Sequence, residues 1–436
     1  MPITVVSLRV IMDAHIHSKY SKATSQAMSI RTIAQYAGIK GLTLVGTGDF
    51  THPNWLRELK ENLVKTPESG FYTINSPANY KTLFMLTAEV HTIFEFEGKI
   101  RKIHHVIWSP NLEVVEQVNA VLSKYGSLEA DGRPTLQITP PELVEVILGV
   151  SPKNVIFPAH AWTPWFSLFG AFSGFDRLED CYQDMSCKIF ALETGLSSNP
   201  PMNWRLSNLD RLTLVSNSDS HSYWPWRLGR EANVLELNEL SYHGVVEAVR
   251  SKDPNRFLFT IETNPTYGKY HWSGHRRCEV SMPASEAIAH QGICPVCGRR
   301  MTKGVEQRIE ELADRPAGFK PKNVPSYVHL LPLSEIIAST VGVTTLGSRK
   351  VWDIYNLLIA KFGSEYTVLL DTEFKSLCKA VDPRLAGFII RVREDRMKII
   401  PGYDGVYGKL EAEDAEEAKK QGSAKQKNKV SLNDFM

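Results

Sequence analysis

The residues that could do chemistry in this sequence are its histidines and a few carboxylates, and they fall beside short apolar runs. Val10-Ile-Met leads into Asp13-Ala-His15-Ile-His17, and Leu44-Val-Gly-Thr-Gly into Asp49-Phe-Thr-His52. Met85-Leu-Thr-Ala leads into Glu89-Val-His91, Arg101-Lys-Ile into His104-His105, Val155-Ile-Phe-Pro-Ala into His160, and Leu214-Val-Ser-Asn-Ser into Asp219-Ser-His221. One histidine at a strand end is ordinarily a hydrogen-bonded core or rim residue. Six coincidences of position and residue type point instead to a metal centre. A His-x-His on a strand sends both rings to one face, and mixed imidazole and carboxylate donors suit Zn, Mn or Fe. The candidate ligands outnumber the roughly four that a tetrahedral ion takes. About two or three clustered divalent ions are therefore expected, with Glu89 or Asp219 as bridge and catalytic carboxylate. Such a cluster clamps phosphate oxygens and supplies a nucleophilic water for in-line attack.

These residues need a scaffold that brings strand ends together. Apolar runs recur at Val5–Met12, Leu42–Gly46, Thr82–Leu86, Ile103–Trp108, Val155–Phe157, Ile189–Leu192, Leu212–Ser216 and Arg256–Ile261. Continuous runs of this kind suit strands buried on both faces. Helical periodicity lies between them, at Ile30–Ala37, Leu112–Tyr125 and Pro141–Leu148. Alternation of this sort predicts an α/β protein with a parallel sheet. The number of units favours a barrel, whose strand C-termini share one face. Glu193 and Thr194 follow one such strand and face the same mouth without an assigned role.

A second metal signal follows. His275-x-x-Cys278 and Cys294-x-x-Cys297 have the spacing of a structural zinc ribbon with one Cys replaced by His. His271 competes with His275 as the fourth ligand. Past Pro332 the pattern turns helical at Leu333–Val341, Lys350–Phe362, Glu365–Leu370 and Thr372–Ala380. The expected organisation is a metal-binding barrel over 1–264, a zinc-binding module over 265–331, a helical domain over 332–405 and a flexible tail over 406–436. The tail is charge-rich from Lys409 to Lys429, and ends in apolar Leu432, Phe435 and Met436.

Composition narrows the class. The 436 residues are 43% hydrophobic and 22% charged, which excludes a disordered or fibrous chain. Net charge is +2, which excludes a strongly basic coat for nucleic acid but leaves room for a local basic groove. No apolar window of ~18 residues exists to span a membrane. The apolar start reads as a first strand rather than a signal peptide. Six scattered cysteines suit reduced thiols and a cytoplasmic location.

The D-x-H-x-H opening, the central Glu89, the later single histidines and the closing D-x-H resemble the PHP metal-dependent phosphoesterases. That resemblance implies a distorted (β/α)7 barrel with a multinuclear cluster. It also implies ligand roles for His15, His17, His52, Glu89, His104, His160, Asp219 and His221, with His104 and His105 left as alternatives. The family's further histidine after the opening pair is missing, and Asp49 is the candidate to replace it. Zinc, with Mg or Mn as alternatives, is the expected metal. Aromatic and basic residues beside these motifs add a nucleic-acid signal: Lys19, Tyr20, Lys22, Trp162, Trp165, Arg205 and Arg227.

Pro158-Ala-His160-Ala-Trp162-Thr-Pro-Trp165 and the runs Gly195–Arg205 and Gly268–Cys278 narrow the resemblance to the endonuclease Q family, over roughly residues 8–400. It implies an archaeal, nucleoid-associated DNA-repair enzyme. The substrate would be double-stranded DNA, cut 5′ to a deaminated base (hypoxanthine, uracil or xanthine) or an abasic site, leaving 3′-hydroxyl and 5′-phosphate ends. The last eight residues, Lys429 to Met436, resemble the peptide that binds the PCNA sliding clamp, with Lys429 and Met436 departing from its pattern. The alternatives are a phosphatase acting on a small phosphomonoester and a degenerate, clamp-bound scaffold.

Overall fold

The computed structural model describes residues 7–76 and 80–410. The clamp-binding expectation for Leu432, Phe435 and Met436 falls outside the described residues. Twelve strands build the first part of the chain. They are β1 (Leu8–Asp13), β2 (Leu44–Gly46), β3 (Leu63–Lys65), β4 (Tyr72–Ile74), β5 (Leu83–Phe96), β6 (Lys99–Ser109), β7 (Thr135–Leu136), β8 (Val155–Pro158), β9 (Ala191–Glu193), β10 (Thr213–Val215), β11 (Ala232–Leu237) and β12 (Phe257–Glu262). Helices fall between them, with ends set by local chemistry. The Ser29 hydroxyl caps Ile30–Lys40, and Gly41 at φ 99° closes that helix. Thr139 and Glu142 form a capping box on Pro140–Val150, with proline at its first turn.

The fold is mixed α/β. Strands β1, β2 and β5 pair in parallel, as do β9 and β10. The all-parallel expectation fails at β6, which runs antiparallel to both β5 and β8. The cause is local. The apolar run expected over Thr82–Leu86 continues to Phe96 and turns through Glu97 (φ 52°) and Gly98 (φ 70°). A two-residue turn with both φ positive returns the chain antiparallel. His104, midway along β6, is thereby brought opposite His91 on β5.

Two loop contacts link the strands further. Ala161 N–H donates to Glu193 O at 2.9 Å, joining β8 to β9, and His17 N–H donates to Ser220 O at 2.9 Å, joining β1 to the segment after β10. Outside this run, β11 and β12 extend the sheet antiparallel from β1. Strand β11 was not expected, because Asn233 and Glu236 break its apolar pattern. Asn233 is nevertheless fully buried, donating to Ser216 O at 2.8 Å and accepting from Ser216 N at 2.9 Å. Both faces of the central strands are buried, through Val10, Met12, Leu44, Phe84, Met85, Trp108 and Phe157.

The later segments are tied to this core. The hairpin of β13 (Ser273–His275) and β14 (Val280–Met282) carries the Cys/His motif. Strand β15 (Ser326–His329), inside the span expected to be a separate zinc module, instead pairs with β12 in the main sheet. The helices Leu333–Val341, Arg349–Phe362 and Pro383–Arg393 follow. A buried ion pair joins them to the first part of the chain: Lys40 Nζ lies 2.7 Å from Glu365 Oε1. Glu365 also accepts from Leu333 N at 3.0 Å and Tyr355 OH at 2.7 Å, so its charge is fully hydrogen-bonded. Breaking such a pair from one side costs about 3–5 kcal/mol.

Candidate metal centre

Glu89, on β5 and fully buried, is the hub of the site. Its two oxygens face different partners. Oε1 lies 2.7 Å from His104 Nδ1 and 3.0 Å from His160 Nε2. Oε2 lies 3.3 Å from His17 Nε2 and 3.7 Å from His15 Nε2. Asp219 Oδ1 completes the second side, 3.0 Å from His17 Nε2 and 3.7 Å from His15 Nε2. Two donor groups result, His15/His17/Glu89/Asp219 and Glu89/His104/His160, each with donor atoms within 4.8 Å of one another. His15 Nε2 is buried and has no hydrogen-bond partner, the state of a nitrogen that suits a cation. The donor chemistry, the enclosure and this orphaned atom all fit divalent metal.

The rings are oriented from behind by carboxylates. Glu193 accepts from His15 Nδ1 at 2.9 Å, from His160 backbone N–H at 2.8 Å and from Asn217 Nδ2 at 2.9 Å. Asp49 accepts from His17 Nδ1 at 2.9 Å, from Ser18 N–H at 2.6 Å and from the Ser21 hydroxyl at 3.0 Å. Such partners fix the tautomer, leaving the far nitrogen free to ligate. Three residues of the site hold left-handed backbone: Asp49 (φ 46°), His160 (φ 28°) and Asp219 (φ 47°). Non-glycine residues pay for this conformation, and it gathers where a site over-determines the chain. Gly48 (φ 61°) permits the approach, since a Cβ there would meet Ile16 O at 2.2 Å.

Electrostatics sort the donors. Burial alone would push the Glu89 carboxyl up, but neighbouring positive charge outweighs it and holds Glu89 well below the usual carboxylate range. His104 is itself pulled down to about 4 by burial, so at neutral pH it is an uncharged donor. Arg133, whose Nη1 lies 3.3 Å from Oε2, is the permanent positive charge beside Glu89. Burial opposes protonation of His15 and His17 too, yet Glu193 and Asp49 respectively raise both well above the ordinary value. Asp219 is lowered by His17 and His15 against burial.

Several expected ligands stand elsewhere. Asp49 is in neither donor group, because its oxygens are engaged with His17, Ser18 and Ser21. His52 is the N-cap residue of the helix Pro53–Asn62, with its ring stacked on Tyr20 at 4.5 Å. His221 sits beside the site, its ring 4.4 Å from that of His17 and its Nδ1 on Asp219 O at 3.0 Å. His105 faces away, bonded to Tyr182 OH at 2.7 Å and Thr92 Oγ1 at 3.0 Å. His91 packs against His104 and Phe166. A separate group brings together His275, Cys278, Cys294 and Cys297. His271, buried nearby, is not in it.

The candidate DNA contacts divide. Trp162 is buried and donates from Nε1 to Asn203 at 2.8 Å, so it cannot stack on a base. Arg205 is also unavailable, held by Glu310 at 2.6 Å and by Arg315 O at 3.3 Å. Lys19 and Tyr20 both bind Glu58, at 2.9 Å and 2.6 Å. Lys22 is 77% exposed, and Trp165, 40% exposed, stacks on Phe172 at 4.9 Å. Arg227 lines a cavity of about 180 Å³ with Arg230, Trp226 and Tyr267. Sequence reasoning missed Arg133 and Asn217 entirely. Arg133 lies in a loop with no periodic or motif signal, and Asn217, two residues before Asp219 in the closing motif, carries no ligand chemistry to mark it.

Fold and site together define an α/β protein built around a histidine–carboxylate centre of the metal-binding kind. Comparison with known proteins carries this further. The chain is similar to the lesion-specific endonuclease PfuEndoQ of Pyrococcus furiosus, with 35% identity, TM-score 0.82, and coverage of 92% of this chain and 95% of that one. It is similar to the same extent, with TM-score 0.81, 35% identity and coverage of 92% and 96%, to endonuclease Q in complex with a 27-mer duplex bearing an abasic lesion at the active site. This chain belongs to the endonuclease Q family. Residues 332–396 match the MJ0043 C-terminal domain family. The chain is 34% identical over 258 residues to MJ0043 of Methanocaldococcus jannaschii, spanning 58% of this chain but 31% of that protein. It is 26% identical over 419 residues to YqxK of Bacillus subtilis, covering 92% of this chain and 99% of that protein. No helix among the described residues is long and apolar enough to cross a membrane.

Proposed function

We propose that this protein is a lesion-directed DNA endonuclease that hydrolyses the phosphodiester 5′ to a deaminated base or an abasic site. The observation that carries the reading is the buried Glu89, shared by two donor groups in a chain of the endonuclease Q family. His15, His17, Glu89 and Asp219 would hold one ion, and Glu89, His104 and His160 another. Zinc suits this donor set, with Mn or Mg as alternatives. Ions held there would supply Lewis acidity at the scissile phosphate and a nucleophilic water at neutral pH. Glu193 and Asp49 would orient the histidines, and Asp219, its side chain 31% exposed, is the donor on the open side of its group. Trp165 and Phe172 would offer an exposed aromatic face to a base, and Lys22 and Arg227 would contact phosphates. A damaged nucleotide pairs poorly, so extruding it from the duplex costs less than extruding a normal one.

The same reading takes β1, β2, β5, β6, β8, β9 and β10 as a distorted (β/α)7 barrel. Supporting it are the loop contacts from Ala161 to Glu193 and from His17 to Ser220. His275, Cys278, Cys294 and Cys297 would hold one structural zinc, and residues 429–436 would bind a sliding clamp.

A nicking assay tests the reading. With divalent metal, the wild-type protein should cut a duplex once, immediately 5′ to a single hypoxanthine, uracil or abasic site. Undamaged duplex should stay intact, and Asp219→Asn should lose activity by at least about a hundredfold. Intact lesion DNA in the presence of metal-loaded protein sinks the proposal, and release of free phosphate from a small phosphomonoester would replace it.

A further inference from the structure

Arg133 is a charged group of the centre with no part in holding metal. Its Nη1 contact to Glu89 Oε2 at 3.3 Å is the single hydrogen bond of its guanidinium among the described residues. That oxygen is also the one facing His15 and His17, so ions held by the donor groups would compete with Arg133 for it. Asp131 is a poor replacement partner. Its Oδ1 already accepts the backbone N–H groups of Lys22 and Arg133, at 3.1 Å and 3.2 Å. A guanidinium beside a set of cations is repelled unless an anion joins them. The side chain remains 23% exposed, so an anion can reach it.

The loop that carries Arg133 is itself held in place. Gly132 N–H donates to Tyr20 O at 3.0 Å, the Thr51 hydroxyl donates to Gly132 O at 3.2 Å, and His91 N–H donates to Pro134 O at 2.9 Å. Only glycine fits at 132, where a Cβ would fall 2.4 Å from both Asp49 Oδ2 and Ser21 Oγ. The loop is thereby pinned to the segments that carry His17, Asp49 and Glu89.

We infer that Arg133 binds a non-bridging oxygen of the scissile phosphate and stabilises the charge that builds there during cleavage. The inference rests on the endonuclease reading above. A planar guanidinium offers two parallel N–H donors that match a phosphate. The pinned loop keeps that donor within reach of the centre, and a donor aimed where charge develops acts mainly on the transition state.

The test compares wild type, Arg133→Gln and Arg133→Lys for nicking kinetics, bound metal and affinity for inorganic phosphate. Arg133→Gln should lower kcat about a hundredfold with KM changed less than about threefold. Arg133→Lys keeps the charge beside Glu89, so it should keep its metal while kcat still falls by about tenfold or more. Phosphate binding to the metal-loaded protein should weaken in both variants. Unchanged kcat and phosphate affinity overturn the inference. So does a loss of activity in Arg133→Lys that tracks loss of metal, since Arg133 would then only hold Glu89. If wild type leaves lesion DNA intact while the variants still bind phosphate more weakly, the endonuclease reading fails and Arg133 stands as a phosphate ligand.

Discussion

Glu193 touches no candidate metal position, yet its replacement by glutamine should loosen the centre. Its oxygens accept three hydrogen bonds, from His15 Nδ1 at 2.9 Å, His160 N–H at 2.8 Å and Asn217 Nδ2 at 2.9 Å. Glutamine keeps the shape but turns one acceptor into a donor. The new amide must then face His160 N–H, the Asn217 amide or the His15 ring, each of which donates to that position. One charge-assisted bond, worth about 1.5–3 kcal/mol, is lost or reversed. His15 belongs to one donor group and His160 to the other, so both feel the change. Carboxylates placed behind ligating histidines are worth about 10–100-fold in metal affinity or activity, which is about 1.4–2.8 kcal/mol. Competition with a chelator of known affinity measures this directly, with circular dichroism checking that the variant is folded. A folded Glu193→Gln protein that holds metal within about twofold of wild type would refute the argument that these rings are set from behind.

Two further outcomes follow from groups away from the centre. Glu262, fully buried beside Glu231, is pushed by burial from 4.5 up to about 7, so the native protein keeps a proton that the unfolded chain gives up. Unfolding free energy should therefore fall as pH rises from 4.5 to about 7, by at most ~3 kcal/mol. Glu262→Gln should flatten that slope, and urea midpoints at about pH 5 and 7.5 that differ as much in the variant as in wild type refute it. Cys294→Ser should remove one zinc per chain and open the segment from β13 to Thr302 to proteolysis, with the metal at the His15/His17 group retained; unchanged zinc content would rule out the four-donor site.

The histidines could be read from sequence because a strand end is a local property. An apolar run, its length and the residue after it are all within a few positions, and shared strand polarity then gathers distant ends on one face. His104 shows the limit of that logic. It lies inside a strand that the turn at Glu97-Gly98 brings back opposite His91, and strand alternation then turns it to the centre and His105 away. The same local signals cannot say what stands behind a side chain. Asp49 follows a strand as a ligand would, but the Ser18 and Ser21 hydroxyls and the His17 ring take up its oxygens. Trp162 and Arg205 sit beside ligand motifs in sequence, yet Asn203 and Glu310 supply partners that turn both inward. Adjacency to a motif therefore predicts location better than role, since role depends on partners brought from elsewhere in the chain. Arg133 is the converse case. No pattern marks it, because its place comes from the fit of Gly132 against Asp49 and Ser21. A charge brought to the centre by packing and backbone bonds from distant segments is among the features of this chain that only its three-dimensional structure reveals.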